Sequence, residues 1–308
     1  MKRHTLKKTA AAVAIALTAT IGFALTVPAA TDTTSSTSLS TADSKETLAT
    51  KRKLLEERQQ KVEHEALEAV TGTQNALIAL QKKDIKKAMT LLQDVSGKLD
   101  ILLAKYPGLN LIPANIEMDV IDFNGDSKQV EKLTNAADDL LENHKVQEAR
   151  HILDELISEM RITTTSIPLG TFPVAIKEAV SLINKGKTDE AEDALYEVLN
   201  MLVKTTEIMP LPVLRAEAFL TAASELEHKS DLTQAASRTE ILKLTDAAKD
   251  KLKLAEILGY GDKDDYKVLY DAIDEIKNVM FSEKSAAAWD KIKASLAALK
   301  NKLIHPGK

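Results

Sequence analysis

The 308-residue chain contains no cysteine, which excludes a disulfide-stapled domain and a lipid-anchored N-terminal cysteine. Glycine is scarce, at ten residues, and none forms the clustered loop that cradles a phosphate. No serine sits in a Gly-x-Ser-x-Gly elbow, and no sequence pattern places a histidine beside one. Histidine itself is thin. His144 and His151 lie seven apart, while His64, His228 and His305 stand singly. Two helical metal ligands need i, i+3 or i, i+4 spacing with a carboxylate nearby, and no pair meets that rule. No catalytic, cofactor-binding or metal-ligating residue is therefore assigned, no cofactor is expected, and enzymatic activity has little support.

Basic residues are also in deficit, with 41 Lys and Arg against 46 Asp and Glu. A net charge of −5 argues against nucleic acid, whose affinity rests on phosphate neutralisation. It equally disfavours anionic lipid and fits a solvated surface. Past residue 29 no apolar run is long enough to cross a bilayer.

The N-terminus does carry such a run. Lys2, Arg3, Lys7 and Lys8 form a basic region, Ala10 to Leu25 is almost wholly apolar, and Val27-Pro28-Ala29 puts small residues at −3 and −1 of a cut. Residues 1–29 read as a secretory signal cleaved near Ala29/Ala30, with a retained membrane anchor as the alternative, and the product as periplasmic. Its removal takes away four basic residues and no acidic one, moving the net charge from −5 to −9. Residues 30–50 follow as a linker; twelve of the twenty from Thr31 to Thr50 are Ser or Thr. Such a composition cannot bury enough surface to offset its ordering entropy, so it is expected to be disordered.

The body of the chain is dominated by helical periodicity. A charged helix begins at Lys51, with Leu54, Leu55, Val62, Ala66, Leu67 and Val70 on its apolar side, and runs on into the helix ending at Gln81. A hairpin unit is then written three times: Ala76–Leu80–Ala88, Ala137–Leu141–Ala149 and Ala179–Ile183–Ala191. Each has apolar residues four apart, a polar turn, and an Ala twelve positions after the first. The turns are Lys82-Lys83-Asp84, Asn143-His144-Lys145 and Lys185-Gly186-Lys187. A small residue on either side of the turn lets two antiparallel helices approach closely. A degenerate fourth hairpin follows Pro212, with helices over Arg215–His228 and Leu232–Leu258. A fifth spans Asp265–Leu303, broken near Phe281 and Ser282. Successive first alanines are 61 and 42 residues apart, which argues for one bundle with inserted connections rather than a regular solenoid.

Two connections are not helical. Ile116-Glu-Met118-Asp-Val120 alternates and leads through Phe123 to the Asn124-Gly125 turn, and Arg161 to Ile167 is β-branched and ends at Pro168. They read as a two-stranded antiparallel pairing or, in the alternative, as two extended loops. Asp122-Phe-Asn124-Gly125 with Glu131 echoes part of a calcium loop, but the first ligand position would be Val120, so a turn and a capped helix is the preferred reading. Asp262, Asp264 and Asp265 read as a helix cap with acid in the first turn.

The order of certain motifs resembles one family. Ala76-Leu77-Ile78-Ala79-Leu80 with Lys87-Ala88, Glu148-Ala149-Arg150, Glu190-Ala191, Ile167-Pro168-Leu169 with Phe172-Pro173, and Met209-Pro210-Leu211-Pro212 leading to Arg215-Ala216 are similar to the YfdX family of bacterial exported proteins. The resemblance covers about Asn75 to Leu226. It implies a mainly helical, stress-associated periplasmic protein with chaperone-like behaviour and no agreed catalytic residues. The expected architecture is thus a mainly α bundle of antiparallel hairpins with one small β element. A YfdX-like domain would span 51–260, and a C-terminal helical extension, 261–308, would pack on it. The expected function is non-enzymatic holdase-like binding of unfolded periplasmic proteins by a homo-oligomer. A small-molecule-binding module or an envelope assembly protein are the alternatives. Met89, Met118, Met160, Met201, Met209 and Met280 fall on apolar stripes, where they serve either core packing or adaptable client contacts.

Overall fold

The structure, a computed structural model, describes residues 49–229 and 235–304. The expected signal, residues 30–48 of the expected linker, and His305 lie outside the described residues. Residues 49–59 form helix α1. It stops before α2 (His64–Gln81), because a turn at 60–62 intervenes and the Glu63 N–H leaves the helix to donate to the Pro113 carbonyl, 3.2 Å away. The continuous helix expected from Lys51 to Gln81 is thus two.

Three units of the same kind follow, each an antiparallel helix pair and then a strand. They are α2 with α3 (Ile85–Lys105) and β1 (Leu111–Ile121); α4 (Ser127–Glu142) with α5 (Val146–Glu155) and β2 (Glu159–Pro168); and α6 (Phe172–Asn184) with α7 (Thr188–Asn200) and β3 (Val203–Pro210). Helices α8 (Leu211–Lys229), α9 (Ala235–Ile257), α10 (Lys263–Val279) and α11 (Ser285–Ile304) complete the chain.

The three hairpin turns repeat atom for atom. In the first, Lys82 N–H bonds back to Ile78, Lys83 to Leu80 and Asp84 to Ala79. The same offsets recur at Asn143, His144 and Lys145, and at Lys185, Gly186 and Lys187. The middle residue of each turn is left-handed, with φ of 59° at Lys83, 59° at His144 and 71° at Gly186. This closes a helix C-terminus by satisfying its last carbonyls. All six alanines of the repeat are buried, which is what the close approach of paired helices requires.

The strands form one antiparallel sheet in the order β1-β2-β3. Two of them were legible in the sequence; β3 is the addition, paired from Glu159↔Pro210 to Ser166↔Val203. Such a meander sends alternate connections to opposite ends. The start of β1, the end of β2 and the start of β3 share one end, since Leu111 pairs with Pro168 and Ser166 with Val203. There α2–α3 and α6–α7 come together, with α2 against α7 and α3 against α6, and their apolar stripes share a core with Ile112 and Ile167. Hairpins α4–α5 and α8–α9 lie at the other end.

One face of the sheet, carrying Ile116, Met118, Met160, Ile162 and Met209, is covered by Leu54 and Leu55 of α1 and by Ile304. Arg58 of α1 grips Glu207 of β3 with two hydrogen bonds, 3.1 and 2.6 Å. The C-terminal helices build a separate core in which α8 and α9 pack with α10 and α11 around the single tryptophan, Trp289. Of the six methionines noted in the sequence, Met118, Met160, Met209 and Met280 are buried, and Met201 is exposed.

Candidate functional site

At the end of the sheet where β1 leaves, β2 enters and β3 runs into α8, charged groups meet below the surface. Asp122 follows β1, and Arg215 lies in the first turns of α8. The Arg215 guanidinium donates to both Asp122 oxygens at 3.0 and 2.6 Å, a forked geometry that suits a planar carboxylate. The Ser158 hydroxyl, just before β2, donates to the same carboxylate at 3.2 Å. Its backbone N–H donates to the Tyr260 hydroxyl at 3.0 Å, and its carbonyl accepts the Leu211 N–H at 2.9 Å. Tyr260 in turn donates to Glu159 at 3.0 Å, and Arg161 donates to the other Glu159 oxygen at 2.5 Å.

Ser158, Glu159 and Arg215 are buried. Burial lifts the Tyr260 phenol well above its ordinary value of 10, with the Glu159 carboxylate adding to the shift, so Tyr260 stays a neutral donor. Every member has partners, and among the described residues no buried side-chain nitrogen or oxygen lacks one. A network closed on itself binds elements together: here β1, β2, α8 and the α9–α10 connection. Sequence reasoning noticed Asp122 and Arg215 for other reasons and missed Ser158, Glu159 and Tyr260. Nothing in the periodicity marks them; only the lone charges beside strand ends could have.

A second feature lies at the opposite end of the sheet. Leu109, just before β1, is 51% exposed, and Val174 in the first turn of α6 is 66% exposed. The two chain segments adjoin, because the Leu169 N–H donates to the Asn110 carbonyl at 3.0 Å and Lys177 approaches Asp100 to 3.8 Å. Ile101, Leu103 and Leu111 on the same segments are exposed too. Large apolar side chains are thus left exposed on adjoining segments of the chain at this end of the sheet.

The histidines are not brought together. His64 sits beside Glu68 at 3.3 Å, His228 Nδ1 lies 2.6 Å from the Ser224 carbonyl oxygen, and His144 and His151 are exposed on the second hairpin. Among the described residues no group of three or more His, Asp or Glu could hold a metal. The calcium-like segment resolves otherwise: Asp122 is engaged by Arg215, Gly125 stacks under the Phe123 ring, and Asp126 caps α4 by accepting the Gln129 N–H at 2.9 Å. Asp262 and Asp265 form a capping box on α10, and Lys302 reaches both at 2.7 and 2.8 Å. A shallow cleft among Met209, Pro210, Val213, Leu214, Lys300 and Ile304 is apolar and small. Among the described residues no helix is long and apolar enough to cross a membrane.

No curated protein matches this chain. A solved structure of YfdX from Salmonella Typhi is similar at 18% identity and a TM-score of 0.35, over 49% of this chain and 93% of that one. The YfdX protein family model matches residues 69–208, from within α2 to within β3, the span of the three helix-pair-and-strand units. The match to the YfdX family is therefore one of residues 69–208, somewhat under half of the 308-residue chain.

Proposed function

We propose that the protein is a non-enzymatic, exported stress-tolerance protein that holds unfolded clients in the periplasm. The observation that carries this reading is the exposure of Leu109, Leu111 and Val174, with Ile101 and Leu103, on adjoining segments of the chain. Unfolded chains expose apolar segments, and burying them against such a surface is favourable by about 25 cal/mol for each Å² removed from water. Leu111 starts β1, Val174 lies in the first turn of α6, and Ile101 and Leu103 lie near the end of α3, so regular backbone already orders most of these side chains before binding. The signal-like N-terminus supports an exported location, and the acidic surface disfavours nucleic acid as a partner.

The test is heat-induced aggregation of an unrelated protein, followed by light scattering with the purified protein in several-fold molar excess. Suppression is expected, and the double variant Leu109→Ser with Val174→Ser is expected to lose most of it while keeping the fold. No suppression by the unaltered protein overturns the reading.

A further inference from the structure

We propose that α1 is a releasable strap over the methionine-lined face of the sheet, latched by the ion pair between Arg58 and Glu207. The strand register shows what lies beneath it. Met118, Ile162 and Glu207 stand in one row across β1, β2 and β3, and Val120, Met160 and Met209 form the next row on the same face. Glu207 is the one charge in the two rows, and its neighbours Met118, Met160, Ile162 and Met209 are buried. A lone carboxylate on an apolar face needs a partner. Arg58 supplies it, with hydrogen bonds of 3.1 and 2.6 Å.

The cover is held lightly. Leu54 and Leu55 are the apolar side chains that α1 lays on this face, and both are only half-buried. Among the described residues, Arg58 is the one side chain of α1 with a hydrogen bond or an ion pair. Solvent reaches both members of that pair, with side-chain exposures of 31% and 27%. The hinge is also in place. A turn at 60–62 separates α1 from α2, and just past it Glu63 is anchored three times. Its N–H donates to the Pro113 carbonyl, and its carboxylate accepts the Tyr106 hydroxyl and the Lys105 ammonium. Helix α1 is therefore free to leave the sheet while α2 stays seated.

Beside the strap the same face runs on into the shallow apolar cleft, where Met209 and Leu214 meet Pro210, Val213 and Ile304. An apolar segment that enters there meets the edge of the covered rows and competes with Leu54 and Leu55 for them. Methionine adapts to varied apolar partners, and three of the chain's seven line this face. Departure of Arg58 leaves Glu207 to be matched, so the occupant is an apolar client segment that carries a basic residue. That use of the face rests on the function proposed above; the latch and its release do not.

The experiment is oxidation of the full chain by dilute hydrogen peroxide, with each methionine sulfoxide followed by peptide mass spectrometry. Burial slows peroxide at Met118 and Met209 until the strap lifts, so their rates report the open population. Arg58→Ala should speed both about fivefold, the effect of losing one ion pair of this kind. Met280, buried in the C-terminal core, should keep its parental rate. The reversed pair, Arg58→Glu with Glu207→Arg, should restore protection of Met118 and Met209. Unchanged rates in Arg58→Ala overturn the strap, as do a Met280 that accelerates equally and a reversed pair that fails to restore protection. Arg58→Ala should also suppress aggregation of an unrelated protein at a lower molar ratio than the parent. Faster oxidation without that gain overturns the face as a client site. Faster oxidation in Arg58→Ala, where the parent suppresses nothing, supports the strap and overturns the function proposed above.

Discussion

Arg215 in α8 and Asp122 after β1, 93 residues apart in the chain, are joined by two hydrogen bonds of 3.0 and 2.6 Å. The pair fixes where the C-terminal helices meet the sheet, because the same carboxylate also takes the Ser158 hydroxyl at the entry to β2. Removing one partner of a buried ion pair leaves the other uncompensated. Asp122 is partly reached by solvent, so Arg215→Ala is expected to cost about 3 kcal/mol, the low end for such pairs. A urea titration measures it. In a double-mutant cycle with Asp122→Ala, the double variant should lose much less stability than the sum of the two single losses. Additive losses would mean that the two side chains act separately.

The three hairpin turns give a sharper comparison. The same left-handed position is filled by Lys83, His144 and Gly186. A side chain there strains the backbone by roughly 1 kcal/mol, and glycine relieves it. Lys83→Gly and His144→Gly should each stabilise the protein by up to about 0.5 kcal/mol, after the greater freedom of glycine in the unfolded chain is counted. Gly186→Ala should destabilise by a similar amount, although its Cβ would meet nothing within 4 Å. Thermal midpoints of the three variants decide this. If all three shift in one direction, the turns do not share one conformational cost.

How far the sequence carries differs from element to element, for physical reasons. Ala76, Ala137 and Ala179 with their partners gave the hairpins, because helix contact at a fixed spacing needs a small residue at a fixed position. β3 was hidden. Its residues Lys204 to Glu207 are polar on both faces of the strand, and Glu207 lies on the apolar face only because Arg58 of α1 neutralises it. The one cue was positional, a third hairpin that ought to be followed by a third strand. The break at 60–63 carries no Gly or Pro, and depends on a tertiary hydrogen bond from Glu63 to Pro113. Leu141 and Leu153 look in sequence like the core residues of their sister units. Only the strand order, which sends their hairpin away from the other two, exposes them.

Two glycines of the first hairpin should respond to alanine with opposite signs. A Cβ on Gly72 in α2 would lie 2.6 Å from Val95 Cγ2 of α3, and Val95 is fully buried with no room to retreat. Overpacking of this kind costs about 1–3 kcal/mol, against a gain of about 1 kcal/mol in helix propensity. Gly72→Ala is therefore expected to destabilise. Gly97, in α3, has nothing within 4 Å of its Cβ position, so Gly97→Ala keeps the propensity gain and should stabilise by up to about 1 kcal/mol. Chemical denaturation of the two single variants tests the pair. Stabilisation by Gly72→Ala would show that α2 and α3 can separate at no cost.

Acid should loosen the contact between the start of α2 and the end of α3. The Glu63 carboxylate is held below its ordinary value of 4.5, first by the Tyr106 hydroxyl and then by the Lys105 ammonium 2.9 Å away. Both donors come from the end of α3 and its cap, while the Glu63 backbone N–H holds Pro113 of β1. A carboxylate whose value is lowered by folding adds stability above its unfolded value, and that stability is lost as pH falls through the lower folded value. Asp265, lowered from 3.8 chiefly by Lys302, acts in the same direction at the start of α10. Glu63→Gln is therefore expected to be less stable than the parent from neutral pH down to about 5, with the gap closing below about 4.5 as Glu63 itself becomes protonated. Urea midpoints of the two proteins, taken at half-unit steps from pH 7 to pH 3, measure the gap directly. A gap that stays constant to pH 3 would mean that Glu63 contributes through shape alone and not through its charge.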